Sequence, residues 1–176
     1  KRYIELHKGK VTVHSQLNIG TTVELSFPLI RRKLSKEEKV AVKNEGCHSN
    51  KRILLVEDEI QIAEVQRFVL TNEPCNHIVD VAHTGEAALR FLGVNEYDLI
   101  SLDYMLPGKI NGKNMYDHIR SENKTTPILF ISGNIEFLES IKDLKRDDCF
   151  VDHVSKPCQN IVYLNSINVL LDKAKS

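Results

Sequence analysis

From Lys51 onward, short apolar runs alternate with segments of helical apolar spacing, and this alternation strongly constrains how the 176-residue chain can fold. Runs such as RILLVE (52–57) and PILFIS (127–132) have the length and aliphatic character of buried strands. Between them, the segment IQIAEVQRFVL places Ile62, Val65 and Val69 at helical spacing. Five strand-like runs alternate with five helix-like segments, which predicts an α/β fold: a parallel sheet with right-handed crossovers and helices on both faces.

The sequence before this alternation differs in character. Residues 31–50 are polar and charged with little apolar periodicity, so we expect a linker there, which could be helical in part. Residues 10–27 alternate around QLNIG, with Val23, Leu25 and Phe27 on one face, which predicts a β-hairpin. Because an isolated hairpin is marginal in water, we expect that it belongs to a larger sheet.

Composition excludes several classes of protein. The 24 basic and 24 acidic side chains balance, and no long basic cluster is present, so we expect no nucleic-acid contact. The sequence has no apolar run of about 18 residues, so we expect no membrane span. The four cysteines are scattered without a CxxC pair, which favours reduced thiols in a cytoplasmic compartment. Because the chain begins at Lys1 without a signal pattern, we interpret it as part of a longer protein.

Polar side chains follow four of the predicted strands at the point where each strand ends. They are Glu57 and Asp58 after the first strand, Asp103 after the third, Ser132 after the fourth and Lys156 after the fifth. The carboxyl ends of parallel strands share one edge of the sheet, where ligands bind in open α/β folds. We therefore expect these residues to form one site.

The chemistry of this set points to phosphoryl transfer. Three clustered carboxylates repel one another unless a cation lies among them, and oxygen ligands with room for water are typical of Mg²⁺. Asp103 can then act as a nucleophile towards phosphorus, while the metal and the Lys156 ammonium offset charge on the phosphoryl oxygens. Ser132 can donate a hydrogen bond to one of those oxygens. Any one of these acids alone could simply cap a helix, so the prediction depends on the whole set.

At these residues the chain resembles the receiver domain of two-component response regulators, over nearly all of 51–176. ILLVEDE is similar to the first strand with its acidic pair, YDLISLDYMLPG to the phosphoacceptor strand, PILFISG to the fourth strand and VSKP to the end of the fifth. TGEAALRFL is similar to the second helix. The resemblance implies a flavodoxin-like, doubly wound sheet of five parallel strands in the order 2-1-3-4-5 with five helices.

The resemblance also implies a role for each site residue. Asp103 would be the phosphorylated aspartate, and Lys156 would contact the phosphoryl group. Asp58, Asp103 and the backbone carbonyl of Met105 would bind Mg²⁺, with Glu57 assisting. The remaining implied features are Ser132 as the switch hydroxyl, Gly133 as the small residue beside it, and a cis peptide bond between Lys156 and Pro157.

Some residues depart from the family's pattern. Glu57 stands where the family commonly has Asp, the turn from Pro107 to Gly112 is one residue longer than usual, and Cys158 replaces a frequent Phe. His153 takes the place of the switch aromatic. We consider two hypotheses for His153: that it makes switching pH-sensitive, or that it fills the position without sensing pH.

Residues 1–30 resemble the end of a histidine kinase ATP-binding domain, with GTTVELSFP as its last glycine motif and closing strand. The order of kinase tail (1–30), linker (31–50) and receiver (51–176) is that of a hybrid histidine kinase, a phosphotransferase. This chain lacks the ATP site and the phosphorylatable histidine, so by itself it would catalyse only its own phosphorylation and dephosphorylation. The implied partners are the kinase core of the same protein, which could be membrane-anchored, and a histidine phosphotransfer domain. Phe68 could dock such a partner or lie at the edge of the core.

Two other functions remain open from the sequence. The receiver could restrain the kinase by docking, without relaying phosphate. A phosphatase of the haloacid dehalogenase type also combines an aspartate, Mg²⁺, a hydroxyl and a lysine. That family requires Asp-x-Asp, usually on the first strand, whereas Asp103 lies on the third and is followed by Tyr104 and Met105.

Overall fold

A computed structural model describes residues 10–26, 48–133 and 135–174, with the backbone alone at 135, 136, 138–140 and 142. The chain divides into two compact units, with the boundary between Val42 and Lys43. Most of the predicted linker, Phe27 of the predicted hairpin face and Cys47 lie outside the described residues.

The larger unit is a five-stranded parallel sheet with five helices, as predicted. The elements in chain order are β3 (Arg52–Val56), α1 (Ile60–Thr71), β4 (Ile78–Ala82), α2 (Gly85–Leu92), β5 (Leu99–Asp103), α3 (Gly112–Glu122), β6 (Ile128–Ser132), α4 (Ile135–Asp147), β7 (Val151–Ser155) and α5 (Asn160–Lys173). The strands lie in the order β4-β3-β5-β6-β7, which is the 2-1-3-4-5 order of a flavodoxin-like fold. Asp103 pairs with Ile131 and Ser132 with Ser155, so the strand ends are nearly level.

Two apolar cores lie on opposite faces of this sheet. One core joins α1 and α5 to the sheet, and the other joins α2, α3 and α4 to it. Every side chain of β5 and β6 is buried, which explains why these strands read as nearly continuous apolar runs rather than alternating ones. Burial on both faces fixes the strand register, and with it the positions of the residues at the strand ends.

Helix α1 differs in part from the apolar stripe predicted from the sequence, since Val69 packs against the core and Val65 does not. The buried residues are Ala63, Gln66 and Leu70. Val65, predicted to face the core, is 54% exposed, so that prediction was wrong. A core face that contains alanine and glutamine gives little hydrophobic signal in the sequence. The exposed face contains large apolar residues, which give the same pattern as a core-facing stripe.

The smaller unit contains the predicted hairpin, in which β1 (Lys10–Gln16) pairs antiparallel with β2 (Gly20–Ser26). The turn uses positive φ at Asn18 (60°) and Gly20 (137°), a conformation that asparagine and glycine adopt most readily. Ser15 and Thr21 share a hydrogen bond between their hydroxyls at 2.8 Å. Val23 and Leu25 are both more than half exposed in this unit.

The sequence also predicts reduced cysteines and no membrane span. Among the described cysteines, Cys149 and Cys158 carry free thiols, and the reduced state of the protein stays a prediction. None of the described helices combines the length and apolar character needed to cross a bilayer.

Candidate phosphoryl-transfer site

The structure brings the predicted acids together at the carboxyl ends of β3 and β5. Glu57, Asp58 and Asp103 each offer a carboxylate oxygen, and these three oxygens all lie within 4.8 Å of one another. Glu57 is 1% exposed and Asp103 is 5% exposed, while Asp58 is half-buried. The backbone N–H of Met105 donates to Asp103 Oδ1 at 2.8 Å, which leaves Oδ2 on the side of the lysine.

Lys156 joins two of these acids. Its Nζ donates to Asp103 Oδ2 at 2.6 Å and to both oxygens of Glu57, at 2.9 and 2.8 Å. The ammonium is brought there from the end of β7, and the backbone N–H of Lys156 donates to the carbonyl of Ser132 on the neighbouring strand. The peptide bond from Lys156 to Pro157 is cis, as predicted.

The electrostatics of this cluster show why one lysine does not balance it. Burial raises the pKa of Glu57, and the charge of Asp103 raises it further, although the bond from Lys156 acts in the opposite direction. Burial alone would lower the pKa of Lys156, but its bonds to Asp103 and Glu57 raise it overall, so the ammonium stays protonated. Three carboxylates around one ammonium keep an excess of negative charge in a largely buried position.

This donor set fits Mg²⁺. The metal prefers oxygen ligands, and one or two carboxylates together with water and phosphate oxygens commonly complete its coordination. A divalent cation would also offset the negative charge that Lys156 leaves unbalanced. The half-buried Asp58 is the member of the set that solvent and a hydrated ion can reach most easily.

Ser132 and Gly133 lie beside the lysine at the end of β6. The Ser132 side chain is buried, at 1% exposure, and its carbonyl is bonded to Lys156 as described above. A methyl group built on Gly133 would lie 3.7 Å from Lys156 Cβ, which is an ordinary contact. Packing in this structure would therefore accept alanine at position 133. The neighbouring Asn134 lies outside the described residues.

Gly112 fixes the loop that follows the candidate nucleophile, a role that the sequence did not reveal. Its N–H donates to the carbonyl of Tyr104 at 3.1 Å. A Cβ built on Gly112 would lie 2.6 Å from Tyr104 Cα and 2.9 Å from the carbonyl oxygen of Asp103, closer than side chains tolerate. The first residue of α3 therefore packs directly on the backbone at the end of β5, and the available signal was the glycine directly after the capping residue Asn111.

Replacing Gly112 with alanine is expected to destabilise the fold by about 1–3 kcal/mol, because the added methyl group must displace backbone rather than a flexible side chain. The displacement falls on Asp103 and Tyr104, so we also expect slower phosphorylation. Gly93→Ala is the matched control: its Cβ would meet Leu89 O at an ordinary 3.5 Å. Denaturant unfolding of both variants checks the stability, and equal stability of the two would contradict the close contact.

An aromatic stack connects the same loop to α4. The Tyr104 ring stacks on Phe137 with centroids 3.8 Å apart, and both rings pack edgewise against Phe130 of β6. This contact could not be predicted from the sequence, because residues 104 and 137 lie in different predicted elements. The stack places the residue after Asp103 in direct contact with the first turns of α4.

His153 lies on β7 opposite Phe130 in the strand register and is partly exposed. Burial lowers its pKa, as does the nearby charge of Lys145, while Asp152 acts in the opposite direction. A lowered pKa favours the neutral imidazole near neutral pH. The hypothesis that His153 makes switching pH-sensitive stays a prediction, and equal phosphorylation responses at mildly acidic and neutral pH would contradict it.

An exposed apolar face on α1 adjoins the site. Ile60, Val65 and Phe68 are 64%, 54% and 67% exposed, and Ile60 follows the acidic residues after β3 by only one position. The alternative that Phe68 belongs to the edge of the core was wrong. Three large apolar side chains on the solvent face of one helix form a surface that a protein partner could cover.

Comparison with known proteins identifies the family of the larger unit. Residues 53–168 match the family model of the response regulator receiver domain. The transcriptional regulatory protein DltR of Streptococcus agalactiae serotype III (strain NEM316) is 33% identical over 108 residues, covering 60% of this chain and 45% of DltR. The response regulator ArlR of Staphylococcus saprophyticus is 38% identical over 106 residues, covering 60% of this chain and 46% of ArlR. The chain thus matches less than half the length of these relatives.

Solved structures show the same fold. A CheY-like receiver domain protein from Methanospirillum hungatei JF-1 superimposes with a TM-score of 0.63 at 22% identity, covering 72% of this chain and 98% of that protein. The receiver domain of a signal transduction histidine kinase from Syntrophus aciditrophicus gives a TM-score of 0.59 at 24% identity, covering 70% and 91%. The family match over residues 53–168, with the strand order in agreement, shows that the chain belongs to the response regulator receiver domain family.

Proposed function

We propose that residues 51–176 form a phosphoacceptor receiver domain, in which Asp103 accepts a phosphoryl group from a phosphohistidine and passes it to a histidine phosphotransfer domain. The observation that carries the proposal is the contact of Lys156 Nζ with Asp103 Oδ2 at 2.6 Å, beside Glu57 and Asp58. This arrangement combines a nucleophilic carboxylate, a fixed ammonium and a cluster of metal-binding oxygens in one place.

In this proposal an oxygen of Asp103 attacks phosphorus, the bond from phosphorus to the histidine nitrogen breaks, and the imidazole leaves. Lys156 can turn its ammonium from Glu57 towards the phosphoryl oxygens while staying close to Asp103. The Ser132 hydroxyl would donate to another of these oxygens. Release of the phosphoryl group to a second histidine follows the same steps in reverse.

The residues that would bind Mg²⁺ are Asp58, Asp103 and the carbonyl of Met105, with Glu57 assisting. When bound, the ion offsets negative charge on the phosphoryl oxygens and on the carboxylates. We expect phosphorylation to require the ion, because the same excess of negative charge that attracts a cation would repel a phosphoryl donor.

We further propose that the receiver belongs to a hybrid histidine kinase, with residues 1–30 as the end of the ATP-binding domain and 31–50 as the linker. The antiparallel hairpin in a separate unit before the receiver supports this order. The Syntrophus aciditrophicus receiver of similar fold is itself part of a histidine kinase. DltR is a transcriptional regulator, but this chain matches less than half of it. The zero net charge of this chain offers no support for DNA binding.

The exposed face of α1 would dock the helices that carry the partner's histidine. Ile60, Val65 and Phe68 are exposed apolar residues next to the acidic edge of the site, so a partner bound there would have its histidine near Asp103. Central aromatic residues commonly contribute most of the binding energy in such interfaces.

We expect Phe68→Ala to slow phosphoryl transfer from the cognate phosphohistidine protein by about tenfold or more, the effect of losing one docking anchor. Phosphorylation by a small donor should stay at the wild-type rate, because the site itself is intact. Val94→Ala, which truncates another exposed apolar residue (78% exposed) in the connection after α2, is the matched control. Unchanged protein-to-protein transfer in Phe68→Ala would contradict docking at this face.

The proposed function is tested by incubating the chain with phosphoramidate, a small donor with a phosphorus–nitrogen bond, and following the intact mass. We expect one phosphoryl adduct with Mg²⁺ and none with EDTA. Absence of both the adduct and Mg²⁺ binding would instead favour a docking module without relay. Steady hydrolysis of p-nitrophenyl phosphate would favour the phosphatase.

A further inference from the structure

Residues 48–51 form a segment, here called the strap, at the amino ends of the parallel strands. The phosphorylation site lies at the opposite, carboxyl ends. The strap precedes β3 and lies outside the family match, which begins at residue 53. The N–H of Asn50 donates to the carbonyl of Cys75 at 3.2 Å, and the carbonyl of Lys51 accepts from the N–H of Ile78 at 2.9 Å. The strap therefore attaches the end of the linker to the connection between α1 and β4.

The strap is also bonded to α5 through His48. Its backbone N–H donates to Asn168 Oδ1 at 3.2 Å, and its Nε2 lies 2.7 Å from Asp172 Oδ1. The His48 side chain is only 7% exposed although it lies near the start of the described unit. Two separate elements of the receiver thus fix the position at which the linker joins it.

His77 controls the bond at the other end of the strap. The backbone N–H of Lys51 donates to His77 Nδ1 at 3.2 Å, so Nδ1 must be unprotonated and the ring proton lies on Nε2. His77 is 4% exposed, and its Nε2 is buried without a hydrogen-bond partner among the described residues. The docked strap accommodates neutral His77 only, since protonation would direct a second N–H at the N–H of Lys51.

Most of the charges around His77 lower its pKa. Burial lowers the pKa of His77, the adjacent His48 lowers it further, and Lys51 does so as well. Asp98, directly before β5, acts in the opposite direction, but its carboxylate is already bonded to Lys51 Nζ at 2.7 Å. His48 contacts Asp172 rather than the N–H of Lys51, so His48 does not control that bond.

We propose that the strap is an acid-released clamp, docked while His77 is neutral and released when His77 takes up a proton. An exposed histidine takes up a proton near pH 6.5, whereas the docked ring resists it. The docking equilibrium constant is therefore at its maximum above that pH and falls about tenfold for each unit below it, until the docked ring itself takes up a proton. Release would free four residues, adding roughly 13 Å of reach to the linker. The proposal is independent of phosphoryl transfer.

The test measures hydrogen-exchange protection of the Asn50 and Lys51 amides by NMR, at pH 7.5 and 5.5, on the 176-residue chain. Protection is referred to the intrinsic exchange rate at each pH. We expect it to fall about tenfold in the wild type. In His77→Asn it should stay constant, because the asparagine Oδ1 can accept the Lys51 N–H and does not titrate. His48→Gln should keep the response.

Several results would overturn the clamp. They are equal protection at both pH values in the wild type, the same loss in His77→Asn, or a parallel loss in β5 and β6, which would mean unfolding of the whole domain. If His77→Asn does not dock at pH 7.5, the wild-type His77 ring resonance decides. Its titration midpoint should coincide with the movement of the Lys51 amide, and separate midpoints would contradict the proposal.

Discussion

Asp103→Asn is expected to abolish phosphorylation of the chain while leaving the domain folded. An asparagine side chain cannot form an acyl phosphate, and no other described carboxylate shares the same contacts with Lys156 Nζ and the Met105 N–H. The asparagine oxygen can still accept the Met105 N–H, and removing one charge from the cluster reduces its repulsion with Glu57. Intact mass after incubation with phosphoramidate and Mg²⁺ measures the loss directly.

The matched control for this change is Asp152→Asn. Asp152 is also a partly buried carboxylate at a strand residue, and it also bonds a lysine, Lys145, but it lies outside the acidic cluster. The Asp152→Asn variant should be phosphorylated to the same extent as the wild type. An adduct that persists in Asp103→Asn would mean that another residue accepts the phosphoryl group.

Removing either partner of the Arg120–Asp148 ion pair is expected to destabilise the receiver by about 3–5 kcal/mol, the range found when one member of a buried pair is lost. Arg120 Nε lies 2.5 Å from Asp148 Oδ2, and the side chains are only 12% and 11% exposed. The guanidinium also donates to the carbonyl of Thr126 at 2.9 Å, and Asp148 accepts from the hydroxyl of Tyr116 and the N–H of Phe150. The pair therefore joins the end of α3 to the connection before β7.

Denaturant unfolding of Arg120→Ala and Asp148→Ala measures this effect. The control is Arg146→Ala, which breaks the pair of Arg146 with Asp143; there the side chains are 71% and 73% exposed and the N–O distance is 3.2 Å. We expect that control to cost at most about 1 kcal/mol, as exposed pairs do. The double variant of Arg120→Ala and Asp148→Ala should lose less stability than the sum of the two single losses, because neither charge is then left without its partner. Similar losses at the buried and exposed pairs would contradict the account.

The alternation of strand and helix patterns predicted the fold because each strand is short and its side chains are largely buried. Continuous apolar runs over 99–103 and 128–132 are characteristic of central parallel strands, and both are fully buried. Once the strands are parallel, residues at their carboxyl ends must share an edge. That topological fact brought Glu57, Asp58, Asp103 and Lys156 together without knowledge of any contact.

Features that depend on packing could not be predicted in the same way. The predicted stripe of α1 was wrong at Val65, because the core face contains Gln66 and Ala63 while Val65 faces solvent. The need for glycine at 112 follows from a backbone approach in three dimensions, and the pairing of Arg120 with Asp148 joins positions that no local pattern connects. These details depend on how elements meet, which a periodic pattern along one element does not encode.

Locating the phosphoryl group on the chain tests the role of Asp103 most directly. The chain is phosphorylated with phosphoramidate and Mg²⁺, reduced with borohydride, which converts an aspartyl phosphate to homoserine, and sequenced by tandem mass spectrometry after digestion. We predict homoserine at position 103 and no other modified aspartate, with the intact adduct removed by hydroxylamine. A hydroxylamine-resistant adduct, or modification at Asp58 with position 103 unchanged, would contradict the assignment of Asp103 as the phosphoacceptor.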